Sequence, residues 1–196
     1  MVHLLLREHL CNSRWLSAIS STALNTYTPD RVAVVDEPDQ LAPSLGSLIY
    51  REVARNARAQ AARLDQLGVP VGGRVVFVSQ NSARLLTSFF GVSGDGRILV
   101  LINFRLGRAE IACIVEHSGA ASSASIPKAI YDALDVPHKF LLGDDDLYLP
   151  EVEPRPRETP DEAATATINY TSTLSGSITC SWPLTCSVTT WSASSA

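Results

Sequence analysis

The sequence predicts an α/β fold: a mainly parallel sheet flanked by helices, with an early β-hairpin. Three observations predict it. Residues 74–79 and 98–102 are near-continuous apolar runs, the pattern of strands covered on both faces. Segments with helical spacing, 51–67 and 108–117, alternate with these runs, and such alternation argues for βαβ units. Glycine and proline punctuate the joins, at Gly68, Pro70, Gly72, Gly73, Gly94, Gly96 and Gly119.

Taken in order, residues 1–29 read as a helical lead-in, with Leu16, Ile19, Ala23 and Leu24 near helical spacing and Thr28-Pro29-Asp30 as the stop. Residues 31–36 and 46–50 are short strands separated by a polar loop, which makes a hairpin. In 51–67, Val53, Ala57, Ala61, Leu64 and Leu67 share one face, while Arg51, Arg55, Arg58 and Arg63 keep to others and form a solvated face. Gly68 supplies a C-terminal cap and Pro70 prevents continuation. The strand 74–79 follows. Asn81 and Ser82 cap the next helix, whose expected core side is Leu85, Leu86, Phe89 and Phe90. Gly94-Asp95-Gly96 closes it before strand 98–102. Helix 108–117 turns Ile111, Ile114 and Val115 inward and ends at Gly119. Residues 120–126 and 139–143 are further short strands, and Pro127 suits the first turn of a helix between them. Asp144-Asp145-Asp146 lacks the ligand spacing of a calcium loop and reads as a solvated acidic turn. The proline-rich 151–160 is a surface linker ahead of a buried strand at 167–170.

Composition narrows the function. The 196 residues amount to one ordinary domain, and a net charge of −4 leaves no basic face for nucleic acid. The apolar run at residues 2–6 is too short for a signal-peptide core, and no segment is long enough for a membrane span. Cys11, Cys113, Cys180 and Cys186 have no CxxC spacing, so reduced thiols in a cytoplasmic protein are the expectation.

Chemistry concentrates where the strand at 167–170 runs into small hydroxyl residues, because free N–H groups and hydroxyls in such a loop converge on anionic oxygens. Tyr170, Thr171, Ser172 and Gly176 resemble the Tyr-Thr-Ser-Gly-Thr-Thr-Gly-x-Pro-Lys-Gly signature of the AMP-forming acyl-CoA synthetases, the adenylate-forming superfamily. Thr173, Leu174 and Ser175 stand in place of its Gly, Thr and Thr, and Ile178, Thr179 and Cys180 in place of its Pro, Lys and Gly. Upstream segments are similar to the same family in the same order. Leu48-Ile49-Tyr50-Arg51-Glu52 resembles its Leu-Thr-Tyr-Arg-Glu, and Leu67-Gly68-Val69 followed by Gly72-Gly73-Arg74-Val75 resembles its Leu-Gly-Val-x-x-Gly-Asp-Arg-Val. Gln80-Asn81-Ser82 begins a helix as it does there. Residues 99–106 resemble Leu-Val-Pro-Leu-Asn-Phe-Arg-Leu, and residues 110–120 resemble Glu-Ile-Ala-Tyr-Ile-Leu-Glu-His-Ser-Gly-Ala. His117, near a helix end, is accounted for by favourable interaction with that C-terminus, without catalysis.

The resemblance implies a ligase that couples a fatty acid or related small carboxylate to CoA through an acyl-adenylate, using ATP, Mg²⁺ and CoA. It implies phosphate contacts at Thr171, Ser172 and Gly176, and no catalytic residue or metal ligand is assigned within the chain. The signature lysine is absent, since Lys128 and Lys139 are the only lysines. The expectation is a partial N-terminal AMP-binding-enzyme domain over 1–172, catalytically incomplete. Residues 173–196 are half Ser or Thr, uncharged, without a sustained period and unlike the family; they read as a disordered or out-of-frame tail. The alternatives are a non-catalytic interaction or regulatory module that docks on a full-length paralogue, and a small active nucleotide-binding protein.

Overall fold

The computed structural model describes residues 28–40, 43–120, 122–126, 128–132, 134–141, 164–170 and 186–189. The lead-in expected before residue 28, the acidic turn at 144–146 and the linker at 151–160 lie outside them.

The expected hairpin is formed by Val32–Val35 (β1) and Ser47–Ile49 (β2), antiparallel, with Val34 opposite Leu48. The chain passes directly into Tyr50–Gln66 (α1). The Glu52 carboxylate accepts from the Ile49 N–H at 2.9 Å, satisfying a donor that the helix start leaves free. Val53, Ala57, Ala61 and Leu64 are buried as the spacing requires. At the other end Gly68 adopts φ 72°, its N–H reaches the Asp65 carbonyl and the Val69 N–H reaches the Leu64 carbonyl, both at 3.0 Å. That pair of bonds satisfies the last carbonyls and needs a left-handed residue between them, which only glycine supplies cheaply. The arginine face is not wholly solvated: the Arg63 guanidinium lies 5.8 Å from the Phe140 ring centroid, covering it.

Arg74–Ser79 (β3) leads to Ala83–Gly91 (α2), where the Ser82 hydroxyl accepts from the Leu85 N–H at 3.2 Å as the expected cap. Here the core side departs from expectation. Leu85, Leu86, Phe89 and Phe90 are only half-buried, whereas Arg84, Thr87, Ser88 and Gly91 are buried. The cause is close packing of α2 on α1, in which Ser88 and Gly91 face the buried Gln60 side chain and Gly91 lies against the Ala57 carbonyl. The Thr87 hydroxyl donates to the Ala83 carbonyl at 2.8 Å and that of Ser88 to Arg84 at 3.0 Å, so these polar groups are buried satisfied.

A short 3₁₀ turn, Ser93–Asp95, precedes Ile98–Asn103 (β4). Arg108–Ser118 (α3), Ser122–Ile126 (β5), Lys128–Tyr131 (α4), Lys139–Leu141 (β6), Thr167–Tyr170 (β7) and Cys186–Thr189 (β8) complete the described elements. The six-stranded sheet runs β6-β5-β3-β4-β7-β8, parallel except for β8. Strand β3 shows why its sequence is continuously apolar. Val76 and Val78 pack with Ile111, Ile114 and Val115 of α3 on one face, and Val75 and Phe77 with Leu64 of α1 on the other. Within the 173–196 stretch the structure describes one strand, β8, in which Val188 pairs with Ile168 and Cys186 with Tyr170. Ladder pairing needs only backbone donors and acceptors on a free edge, so a segment without side-chain alternation can supply it. Cys113 is disulfide-bonded, against the expectation of reduced thiols.

Asp36, 5% exposed, ties the hairpin to the sheet domain. One carboxylate oxygen accepts from the Leu45 N–H at 2.9 Å and the other from the Ala83 N–H at 2.8 Å, at the start of α2. Both bonds are charge-assisted, and the second places an anion at a helix N-terminus. Asp36→Ala is expected to cost about 2 kcal/mol in urea unfolding, and Asp36→Asn less. A loss within about 0.5 kcal/mol, the range of an ordinary surface change, would show that the carboxylate does not carry this join.

Candidate functional site

The carboxyl ends of β3, β4 and β7 open into a cavity of about 610 Å³. Each apolar strand ends on a polar residue there: Ser79 on β3, Asn103 on β4, and Asn169 with Tyr170 on β7. The register explains the convergence, because Ser79 stands beside Asn103 on β4, and Leu101 beside Asn169 on β7. Phe77, Leu85, Leu101 and Phe104 supply apolar walls. The adjacent strands β4 and β7 send their outgoing connections in opposite directions, β4 to β5 and β7 to β8. A crevice opens beyond the carboxyl ends of strands at such a reversal, and ligands of open α/β sheets bind there.

The turn after β4 is shaped by Asn103, whose side-chain oxygen accepts from the Arg105 N–H at 3.0 Å while its carbonyl accepts from the Leu106 N–H at 3.1 Å. That turn brings Arg105 to the cavity, its guanidinium 5.5 Å from the Phe104 ring centroid. Among the described residues that line the cavity none is Asp or Glu and Arg105 is the charged one, so this lining suits an anion with an apolar portion.

Strand β7 is held at both ends. The Ala166 carbonyl just before it accepts from the Leu99 N–H at 3.0 Å and the Ser93 hydroxyl at 2.8 Å. At the far end the Tyr170 hydroxyl lies 2.9 Å from His117 Nδ1, the rings meeting edge to face at 5.8 Å between centroids. His117 thus has a specific tertiary contact besides its place at the helix end.

A sequence model of the AMP-binding enzyme family matches residues 22–173. The chain belongs to that family. Its relatives include 4-hydroxybutyrate–CoA ligase 2 of Metallosphaera sedula, 36% identical over 92 residues, which are 47% of this chain and 16% of that protein. The 2-succinylbenzoate–CoA ligase of Geobacillus kaustophilus is 29% identical over 149 residues, 76% of this chain and 29% of that protein. The chain therefore spans under a third of the length of these curated relatives. Among solved structures, O-succinylbenzoate coenzyme A synthetase of Bacillus subtilis in complex with AMP superposes with a TM-score of 0.60 at 24% identity, covering 80% of this chain and 39% of that one. That likeness establishes the fold, a parallel sheet with flanking helices and a hairpin.

Within this AMP-binding enzyme fold, Thr171, Ser172 and Gly176 lie outside the described residues, immediately beyond the cavity-lining Tyr170. Asn103, Arg105 and Asn169 are cavity residues that the sequence reading did not assign. The signal was present as a polar residue ending each apolar run, but only the strand register shows that these ends meet. Lys139 is occupied elsewhere, its ammonium donating to the Tyr131 and Leu134 carbonyls at 3.3 and 3.0 Å. Among the described residues no three His, Cys, Asp or Glu side chains converge on a metal position, and no helix is long and apolar enough to cross a membrane.

Proposed function

We propose that this chain carries the N-terminal part of an ATP-dependent, AMP-forming carboxylate–CoA ligase, cytoplasmic in location, and that alone it does not complete the reaction. The family match carries this reading, supported by an anion-suited cavity at the strand ends from which the Thr171, Ser172 and Gly176 stretch departs. In that reaction a carboxylate oxygen attacks the α-phosphorus of ATP and pyrophosphate leaves. The CoA sulfur then attacks the acyl carbon and AMP leaves, giving a thioester. The expected contribution of this chain is positioning and charge: hydroxyls and amides of the 171–176 stretch against phosphate, Arg105 as the nearby cation, and the apolar walls excluding water. The described residues provide no Mg²⁺ ligand set, so no step is assigned to the metal here. A fatty acid or a related small carboxylate is the proposed substrate class.

Two measurements test the proposal. Pyrophosphate exchange into ATP, assayed with aliphatic and aromatic carboxylates, is expected to stay at the blank rate, because Thr179 stands where the signature carries its lysine. Exchange above the blank would overturn the inactivity. ATP is expected to raise the unfolding temperature, with stabilisation approaching about 2.7 kcal/mol at a hundred times Kd. No shift at millimolar ATP would remove phosphate binding by this chain. We further infer that residues 173–196 result from a shifted reading frame, an unspliced intron or a gene-model error. Transcript sequencing that shows no Thr-Thr-Gly-x-Pro-Lys-Gly coding downstream in any frame would exclude it.

A further inference from the structure

We propose that the open face of the β1–β2 hairpin is a docking surface for the chain's own leading segment, residues 1–27, which covers it with the apolar side of its helical pattern. This contact does not depend on the ligase reading.

The hairpin is packed on one face. Val34, with Leu48 opposite it, joins a cluster with Val53 of α1 and with Ala83, Leu86 and Phe90 of α2. The other face is apolar and open. In a regular strand Val32 and Val35, three residues apart, would project to opposite faces. Here the register shifts between Val32 and Val34, so that Val32 stands opposite Ile49 and Val35 opposite Ser47. Ile49 and Ser47 are two residues apart on β2, and opposed residues of an antiparallel pair share a face. The irregularity therefore gathers both valines on the side turned away from Val34 and Leu48. They are 51% and 66% exposed, and among the described residues Val71 is the other large apolar side chain that is exposed. Turning two valines to one open face runs against the burial of apolar surface unless that face meets a partner, and a two-stranded hairpin is marginal without such packing.

The leading segment joins the chain beside this face. The Arg31 N–H reaches the Thr28 carbonyl at 3.2 Å, closing a turn through Pro29 and Asp30. The ends of such a turn lie within about 7 Å of each other, so Thr28 is folded back beside the start of β1. The turn is fixed to the start of α1. The Arg51 N–H donates to the Pro29 carbonyl and the Tyr50 N–H to the Arg31 carbonyl, both at 3.0 Å, and the Arg51 guanidinium pairs with Asp30. Val35 lies four residues along from Arg31, about 13 Å in a strand. Leu24 precedes Thr28 by four residues, a reach of up to about 14 Å. Leu24 can therefore lie over the valine face, with Leu16, Ile19 and Ala23 set before it near helical spacing.

The test is thiol labelling of the full chain carrying Val35→Cys or, as the control elsewhere on the surface, Val71→Cys. A maleimide is the probe, peptide mapping reads each site separately, and each rate is normalised to that of the same variant unfolded in urea. Residue 35 is expected to react at least about tenfold more slowly than residue 71, because the reagent reaches it only when the segment lifts away. Adding Leu16→Ala, Ile19→Ala and Leu24→Ala is expected to bring residue 35 to the rate of residue 71 while leaving residue 71 unchanged. Equal rates with the leading segment intact would overturn the proposal. So would slow labelling that survives the three alanines, or that is lost on dilution, which would assign the face to a second copy of the chain. Should the triple variant not fold, Leu24→Ala alone takes its place; a faster rate at residue 35 then sustains the contact, and an unchanged one overturns it.

Discussion

Replacing Arg97 with methionine is expected to lower the unfolding free energy by about 3–5 kcal/mol, the cost of breaking a buried ion pair by removing one partner. The Arg97 side chain is fully buried, and the facing Asp65 and Asp95 side chains are 8% and 11% exposed. Its guanidinium meets Asp65 at 2.8 Å, Asp95 from the other side, and the Val69 carbonyl at 2.7 and 3.0 Å. It therefore holds together the end of α1, the turn before β3 and the first residue ahead of β4. Methionine matches the stem but withdraws the positive charge from two carboxylates and both donors from Val69. A second substitution, Asp65→Asn, in the Arg97→Met background is expected to restore part of the loss, since it removes one of the charges left facing hydrocarbon. Urea unfolding followed by far-UV circular dichroism measures both. A single-variant loss below about 1 kcal/mol, typical of an exposed pair, would mean that water replaces the guanidinium.

Gly91→Ala is expected to destabilise by about 1–3 kcal/mol, the usual cost of overpacking. In an exposed helix the same change stabilises by about 1 kcal/mol through helix propensity. The sign reverses because a Cβ at residue 91 would lie 2.3 Å from Gln60 Oε1 and 2.8 Å from the Ala57 carbonyl oxygen. The Gln60 amide is not free to turn away. Its Nε2 donates to the Ser88 hydroxyl at 2.9 Å, and that hydroxyl spends its own proton on the Arg84 carbonyl. The Gln60 oxygen is thereby committed to the Gly91 side, buried without a conventional hydrogen-bond partner among the described residues. Combining Gln60→Ala with Gly91→Ala is expected to relieve the first clash and leave the second, which is backbone. The double-variant cycle should therefore show coupling without full recovery. A stabilised Gly91→Ala chain would show that the two helices are farther apart than this packing requires.

These two sites mark the boundary of what sequence reasoning reaches. Arg97 reads as an ordinary polar residue ahead of a strand, since its partners lie 32 residues upstream on α1 and 28 upstream at Val69. Gly91 reads as a helix end, and Leu85, Leu86, Phe89 and Phe90 outrank it as core candidates on hydrophobicity. Helix α2 nevertheless buries its small and polar side because what faces it is another helix at close range. Asp36 is a similar case, an acidic residue at the end of a strand whose acceptors are claimed by Leu45 and by Ala83, 47 residues on.

By itself the sequence determined the α/β class, the hairpin, α1, β3, β4 and α3, the glycine caps at Gly68 and Gly119, the Ser82 cap and the family. Those features follow from the periods of apolar residues and from backbone preferences, which act over a few neighbouring residues. Tertiary structure alone decided the strand order, the pairing of β8 on β7, and the meeting of Ser79, Asn103, Asn169 and Tyr170 at one cavity. It also decided the burial of Arg97 and Asp36 and the contact of His117 with Tyr170. Each of these depends on which distant groups face one another. A charge or hydroxyl looks alike in sequence whether it meets water or a partner, and only the packed chain supplies the partner.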